Sequence, residues 1–110
     1  MTKVVVDPGI CGFTITIQAT SEDMQHVKVK ISTECPNIKE VIGEIEAHEF
    51  DTFKEVFVKL DRTDTYAILT PHIPHPMCLV YAGMLKAIET ETDLALPKDC
   101  HIKIEKEVQG

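Results

Sequence analysis

The chain has 110 residues with 44% hydrophobic and 26% charged side chains, which indicates one globular domain over residues 1–110 and excludes a disordered chain. Its formal net charge of −7 argues against binding to nucleic acid or to an anionic membrane surface. No apolar stretch could span a bilayer, and the N-terminal MTKVVVDPGICGF lacks the features of a secretory signal. We therefore expect a cytoplasmic protein whose cysteines are thiols, metal ligands or redox groups rather than disulfides.

The first third of the chain has the pattern of three strands. Val4–Val6 is a short apolar strand candidate that ends at a turn over residues 7–9. Residues 13–19 alternate between apolar and polar side chains, which predicts a half-buried strand. After a polar turn at residues 21–23, residues 27–31 alternate again. The last two strands are therefore predicted to form a β-hairpin.

After Cys35 the apolar spacing changes to that of helices. Pro36 suits a first helical position, and an apolar stripe follows over residues 38–45. A second helix is predicted over Asp51–Leu60, and Tyr66–Leu69 could be either a strand or a buried turn.

From Pro76 onward an apolar stripe predicts a third helix, in which Gly83 is expected to permit close packing. Residues Cys100–Ile104 alternate and are predicted to form a final strand. This order of elements predicts an α+β domain, with an antiparallel sheet of about three to four strands and two to three helices packed on one face.

Three of the four cysteines fall at the ends of predicted elements. Cys11 precedes the second strand, Cys35 precedes the first helix, and Cys78 lies in the first turn of the third helix. A helix N-terminus carries partial positive charge, which favours thiolate, the form that binds metals or attacks electrophiles. Cys100 begins the final strand and is expected to be structural.

His75 is the histidine best placed to supply a further ligand. Pro71, Pro74 and Pro76 restrict its loop, so an imidazole there loses less entropy when it becomes a ligand. A polyproline-like connector with solvated imidazoles stays open as an alternative for His75 and is preferred for His72.

The order of these cysteines and elements resembles the U-type iron–sulfur scaffold family (the IscU and NifU N-terminal domain). The resemblance runs from about residue 10 to residue 90 and rests on spacing and element order rather than on extended identity. The matching segments are Cys11-Gly12 before Ile15–Ile17, Cys35 after Lys28–Ile31, and Leu69–Pro71 leading to Cys78 and a helix that ends at Leu85–Ile88.

The resemblance implies that the thiolates of Cys11, Cys35 and Cys78 meet at one end of the molecule. With a neighbouring histidine or aspartate they would hold a zinc ion or a nascent iron–sulfur cluster, and iron–sulfur assembly proteins would be the partners.

The chain departs from that family beside its cysteines. Phe13 stands where the family has an aspartate, and Met77 stands where the family places a histidine directly before the third cysteine. His75 lies two residues further back.

Three functions therefore stay open. The first is a metal or iron–sulfur scaffold, not itself a catalyst, with Cys11, Cys35 and Cys78 as ligands and His75 or Cys100 completing the set. The second is a thiol enzyme or redox sensor with Cys35 or Cys78 activated. The third is a small binding or structural module with packed cysteines. No C-x-x-C pair, phosphate-binding loop, H-E-x-x-H helix or G-x-S-x-G elbow is present to favour another chemistry.

Overall fold

The computed structural model describes residues 1–108 and has an α+β fold, as predicted. One antiparallel sheet has the strand order β1-β2-β3-β4. The strands are β1 (Thr2–Val6), β2 (Ile15–Thr20), β3 (His26–Thr33) and β4 (Glu49–Asp51). The helices are α1 (Pro36–Lys39), α2 (Ile42–Ala47), α3 (Thr52–Glu55), α4 (Asp64–Leu69) and α5 (Val80–Glu91), with a 3₁₀ turn at Leu60–Arg62.

The central hairpin β2–β3 forms the base of the hydrophobic core. Alternate side chains of both strands are buried, and the residues between them on β3 are exposed to solvent. The alternation in the sequence therefore identified the core face correctly. The buried apolar side chains of the hairpin are Ile15, Ile17, Ala19, Val27, Val29 and Ile31.

Helix α5 packs against β1 and β2, while α2 packs against β3. The closest approach is at Gly83, where an added Cβ atom would lie 2.6 Å from Val6 Cγ2 and 3.0 Å from Ile17 Cδ1. These separations are shorter than van der Waals contact, so the absence of a side chain at Gly83 sets the distance between helix and sheet. The expectation that Gly83 permits close packing is confirmed.

The helical region between residues 36 and 69 differs from the prediction. The first apolar stripe is divided between α1 and α2. The predicted helix over Asp51–Leu60 is also not one helix, because Asp51 ends β4 and its side chain caps the short helix α3. The segment Tyr66–Leu69 is helical rather than a strand or a turn.

Buried Glu55 explains why α4 forms. Its carboxylate accepts hydrogen bonds from the backbone N–H groups of Asp64 and Thr65 at 2.8 Å, and from the Thr65 hydroxyl. Thr63 accepts a further bond from the N–H of Tyr66. The free donors of the first helical turn are thus satisfied by side chains, which stabilises the helix.

The C-terminal third contains two further corrections. Helix α5 begins at Val80 and not at Pro76, because residues 76 and 77 form a turn. The predicted strand over Cys100–Ile104 is wrong, since this segment pairs with no strand of the described chain. Within residues 1–108, no helix is long and apolar enough to cross a membrane.

The carboxylate of Glu91, the last residue of α5, ties that helix to the sheet. It accepts hydrogen bonds from the Thr2 hydroxyl at 2.8 Å and from the Ser21 backbone N–H at 3.0 Å. The N-terminal ammonium of Met1 lies 3.4 Å away. Burial acts to raise the pKa of Glu91, but these donors outweigh burial and the pKa is lowered below its ordinary value.

Replacement of Gly83 by alanine is expected to destabilise the protein. Overpacking of this kind costs about 1–3 kcal/mol, which exceeds the gain of up to about 1 kcal/mol in helix propensity. Thermal unfolding of Gly83→Ala is the measurement. Gly43→Ala is the matched control, because Gly43 lies in α2 with nothing within 4 Å of an added Cβ, and it should raise the melting temperature. Equal stabilisation by both changes would contradict the close contact.

Glu91→Gln is expected to lower stability at neutral pH by an amount that shrinks as the pH falls. A carboxylate with a lowered folded-state pKa contributes stability above its unfolded pKa, and that contribution is lost as pH falls through the folded value. The measurement is the free energy of unfolding of wild type and variant at neutral pH and at about pH 3, below the ordinary glutamate value. Exposed Glu22→Gln is the control. If the difference in unfolding free energy between wild type and Glu91→Gln were the same at both pH values, the lowered pKa of Glu91 would be refuted.

Candidate functional site

The register of the sheet brings two cysteine-bearing segments together. Val6 at the end of β1 pairs with Ile15 at the start of β2, and Ile15 pairs with Thr33 at the end of β3. Cys11 lies in the loop that joins the first two strands, and Cys35 follows the third strand by two residues. Both thiols therefore lie at the same end of the sheet.

Helix α5 brings the third cysteine to that end. Its early residue Gly83 faces Val6, so the helix begins above the same end of the sheet. Val80, the first residue of the helix, is fully buried, and Cys78 precedes it by two residues. The packing of α5 thus determines where Cys78 lies.

A cavity of about 130 Å³ is lined by all four predicted ligands. Cys11 and His75 are exposed, while Cys35 and Cys78 are half-buried. The structure therefore brings together the residues that the sequence suggested. The other lining residues are Pro8, Phe13, Ile15, Pro36, Asn37 and Ile38.

These side chains do not form a complete ligand set. Over residues 1–108, no three His, Cys, Asp or Glu side chains are grouped closely enough to hold a metal ion. All four cysteines of the protein are free thiols. Metal binding would thus require the ligands to move closer together.

Cys35 occupies the helix-start position that was predicted. It is the N-cap residue of α1, its carbonyl oxygen accepts a hydrogen bond from the Lys39 N–H at 2.9 Å, and Pro36 follows at the first helical position. The Cys35 N–H donates to the Thr33 hydroxyl at 3.2 Å. The backbone that carries this thiol is therefore fixed on both sides.

Cys78 lies in an environment that disfavours thiolate, contrary to expectation. Burial raises its pKa, and the nearby Cys35 and Cys11 raise it further, whereas a hydrogen bond from the Val80 N–H acts in the opposite direction. The residue is not in the first turn of α5, because that helix begins only at Val80.

The proline-bearing loop is attached to the first helix. His72 Nδ1 lies 3.5 Å from Glu40 Oε2, and Glu40 is the C-cap residue of α1. His72 is not among the residues that line the cavity, whereas His75 is. Met77 is 82% exposed, so the residue directly before Cys78 contributes nothing to the cavity.

Cys100 is not among the residues that line the cavity. It is exposed. The pKa of Lys86 is raised chiefly by its hydrogen bond to Glu89, with a smaller contribution from Cys100. The expectation that Cys100 is packed as a structural residue is wrong, because Cys100 is exposed and pairs with no strand of residues 1–108.

Phe13 is the site residue that sequence reasoning did not assign. It lines the cavity and is 38% exposed, although its place in the alternating pattern predicted a core position. The signal in the sequence was its position two residues after Cys11, where the resembling family has an aspartate.

The chain belongs to a family of unknown function (DUF6951), whose model matches residues 2–104. No curated protein and no solved structure matches the chain. The matched residues include the whole sheet and the five helices, and the family description names no activity.

Alkylation rates should rank the thiols by exposure and pKa. We expect Cys78 to react more slowly than Cys11 near neutral pH, because Cys78 is partly buried and its pKa is raised. Timed iodoacetamide labelling with peptide mass spectrometry measures each rate, and exposed Cys100 serves as the reference within the same molecule. If Cys78 reacted fastest, its thiol could not have a raised pKa, and the thiol enzyme hypothesis would be supported.

Proposed function

We propose that this protein is a metal or iron–sulfur scaffold that holds a zinc ion or a nascent cluster on Cys11, Cys35, Cys78 and His75. The observation that carries the proposal is that one cavity is lined by these four side chains, which come from three distant parts of the chain. The resemblance to the U-type scaffold family rests on the same three cysteines and supports the same reading.

The donor set suits these cofactors chemically. Thiolate sulfur and imidazole nitrogen are the ligands that zinc prefers, and a structural zinc site takes four of them in a tetrahedron. Thiolates likewise hold iron–sulfur clusters. A set of three sulfurs and one nitrogen therefore fits either cofactor without help from a carboxylate.

Closure of the site would fall mainly to the loop before α5. His75 and Cys78 lie in this loop, whereas Cys35 is fixed at the start of α1. The prolines at positions 71, 74 and 76 limit the conformations that the loop loses on binding. Movement of this segment toward Cys35 would bring two of the ligands together with it, and Cys11 would approach from the loop between β1 and β2.

The remaining lining residues would control access by water. Phe13 and Ile38 form apolar walls beside the thiols, and Ile38 is fully buried. An apolar wall lowers the local dielectric constant and shields a metal centre from solvent. Phe13 in place of the aspartate of the resembling family would thus give a more enclosed site.

The proposal includes a cytoplasmic location and iron–sulfur assembly proteins as partners. Free thiols persist in reducing compartments, and the four cysteines here form no disulfide. The net charge of −7 does not suit a nucleic-acid partner.

Cobalt(II) titration tests the ligand set. We expect one ion per chain with a sulfur-to-cobalt charge-transfer band, and we expect displacement of cobalt by zinc. Serine at position 11, 35 or 78 should weaken binding by at least about tenfold, because loss of a ligand costs more than loss of a supporting residue. Cys100→Ser is the matched control and should bind normally.

Binding should weaken as the pH falls, because the metal displaces thiol protons. The raised pKa of Cys78 strengthens this dependence, since that thiol is protonated in the free protein at neutral pH. Zinc should protect Cys11, Cys35 and Cys78 from alkylation and leave Cys100 reactive.

Anaerobic reconstitution with iron and sulfide separates the two cofactors, because only a cluster would give a visible absorption spectrum that depends on the same three cysteines. Absence of cobalt binding, of zinc protection and of cluster formation would overturn the proposal. The structural module would then be favoured if serine at all three positions left stability unchanged.

A further inference from the structure

The segment after residue 99 has the side-chain pattern of a strand but has no strand partner. Ile102 and Ile104 are 69% and 87% exposed, and they alternate with the polar side chains of His101 and Lys103. Alternation of this kind is typical of a strand with one face covered. In the described chain, neither face of the segment is covered.

Strand β1 offers a free edge in the same molecule. It pairs with β2 alone among the described strands, so the backbone groups on its other side lack a ladder partner. Lys3 and Val5 are exposed, with Val5 at 59%. The opposite edge, β4, is only three residues long. Unpaired strand edges readily accept another extended segment.

The two features match in length and belong to the same domain. Strand β1 has five residues, and the alternating segment Cys100–Ile104 has the same length. The family model reaches residue 104, so this segment lies within the domain that defines the family. The segment is therefore part of the sequence that members of the family share.

We propose that Cys100–Ile104 of one copy adds to the β1 edge of a second copy, and that reciprocal exchange produces a twofold dimer. Each copy supplies one unpaired segment and one unpaired strand edge. Reciprocal exchange gives every segment and every edge a hydrogen-bonding partner, so the assembly stops at two copies. Within one chain the segment pairs with no described strand and leaves the outer edge of β1 unpaired.

The side chains suit this arrangement. In an added strand Ile102 and Ile104 would share one face of the extended sheet and lose their exposure to water, which is favourable. His101 and Lys103 would project from the other face. The outer face of the hairpin is already polar, with exposed Lys28.

The test uses the full chain at several concentrations. Light scattering after size exclusion measures the mass, and hydrogen exchange measures protection of the β1 and Cys100–Ile104 amides. We expect a dimer whose protection in both segments rises with concentration. Ile102→Ser with Ile104→Ser should shift the protein to monomer and remove protection from both segments. Leu94→Ser with Leu96→Ser, also at exposed positions, is the matched control and should leave the dimer intact.

Three outcomes would overturn the proposal. A monomer with an unprotected segment at every concentration would show that the edge stays free. A monomer whose segment is protected independently of concentration would show pairing within one chain. A dimer that survives the double serine change would show a different interface. Because none of these readouts involves the thiols, failure here is separate from failure of the metal site.

Discussion

The contact between Gly83 and the sheet is the constraint on which the candidate site depends. Because a Cβ atom at this position would overlap Val6 and approach Ile17 closely, only glycine allows α5 to lie this near to β1 and β2. The helix start is thereby held above the end of the sheet where β1 stops. Cys78 reaches the cavity through this packing, and Cys11 and Cys35 reach it through the strand register.

The chemical state of the thiols follows from the same packing. Burial and the neighbouring thiols raise the pKa of Cys78, so the group is a poor nucleophile but a suitable ligand for a cation that displaces its proton. A bound cation would offset the effect that the neighbouring thiols have on the pKa of Cys78. The environment of Cys78 therefore disfavours nucleophilic catalysis at that residue and is compatible with the proposed metal site.

The sequence was most informative where local pattern and burial coincide. The alternation over Ile15–Ala19 and Val27–Ile31 marks the face that the structure buries, and the placement of Gly83 in an apolar stripe anticipated close packing. The common end of the three cysteines was an expectation from the resemblance to the U-type scaffold family and not from these patterns. Their grouping around one cavity depends on the register and on the tilt of α5, which no local pattern encodes.

The secondary-structure predictions that failed did so because of contacts, or missing contacts, with other parts of the fold. Helix α4 depends on hydrogen bonds from its first turn to Glu55, nine residues before the helix begins, and such a partner cannot be read from helical spacing. The opposite failure occurs at Cys100–Ile104, where alternation is present but no partner strand lies beside it. Periodicity reports which face a segment would bury, and the presence of a neighbour decides whether the segment forms the element.

The cavity and the free edge meet at one point of the chain, the end of β1. The loop that carries Cys11 begins directly after Val6, so whatever pairs with β1 also restrains the base of that loop. A strand added to β1 by a second copy would therefore make the Cys11 loop more rigid. Under the two proposals, dimer formation would favour metal binding through the order of this loop.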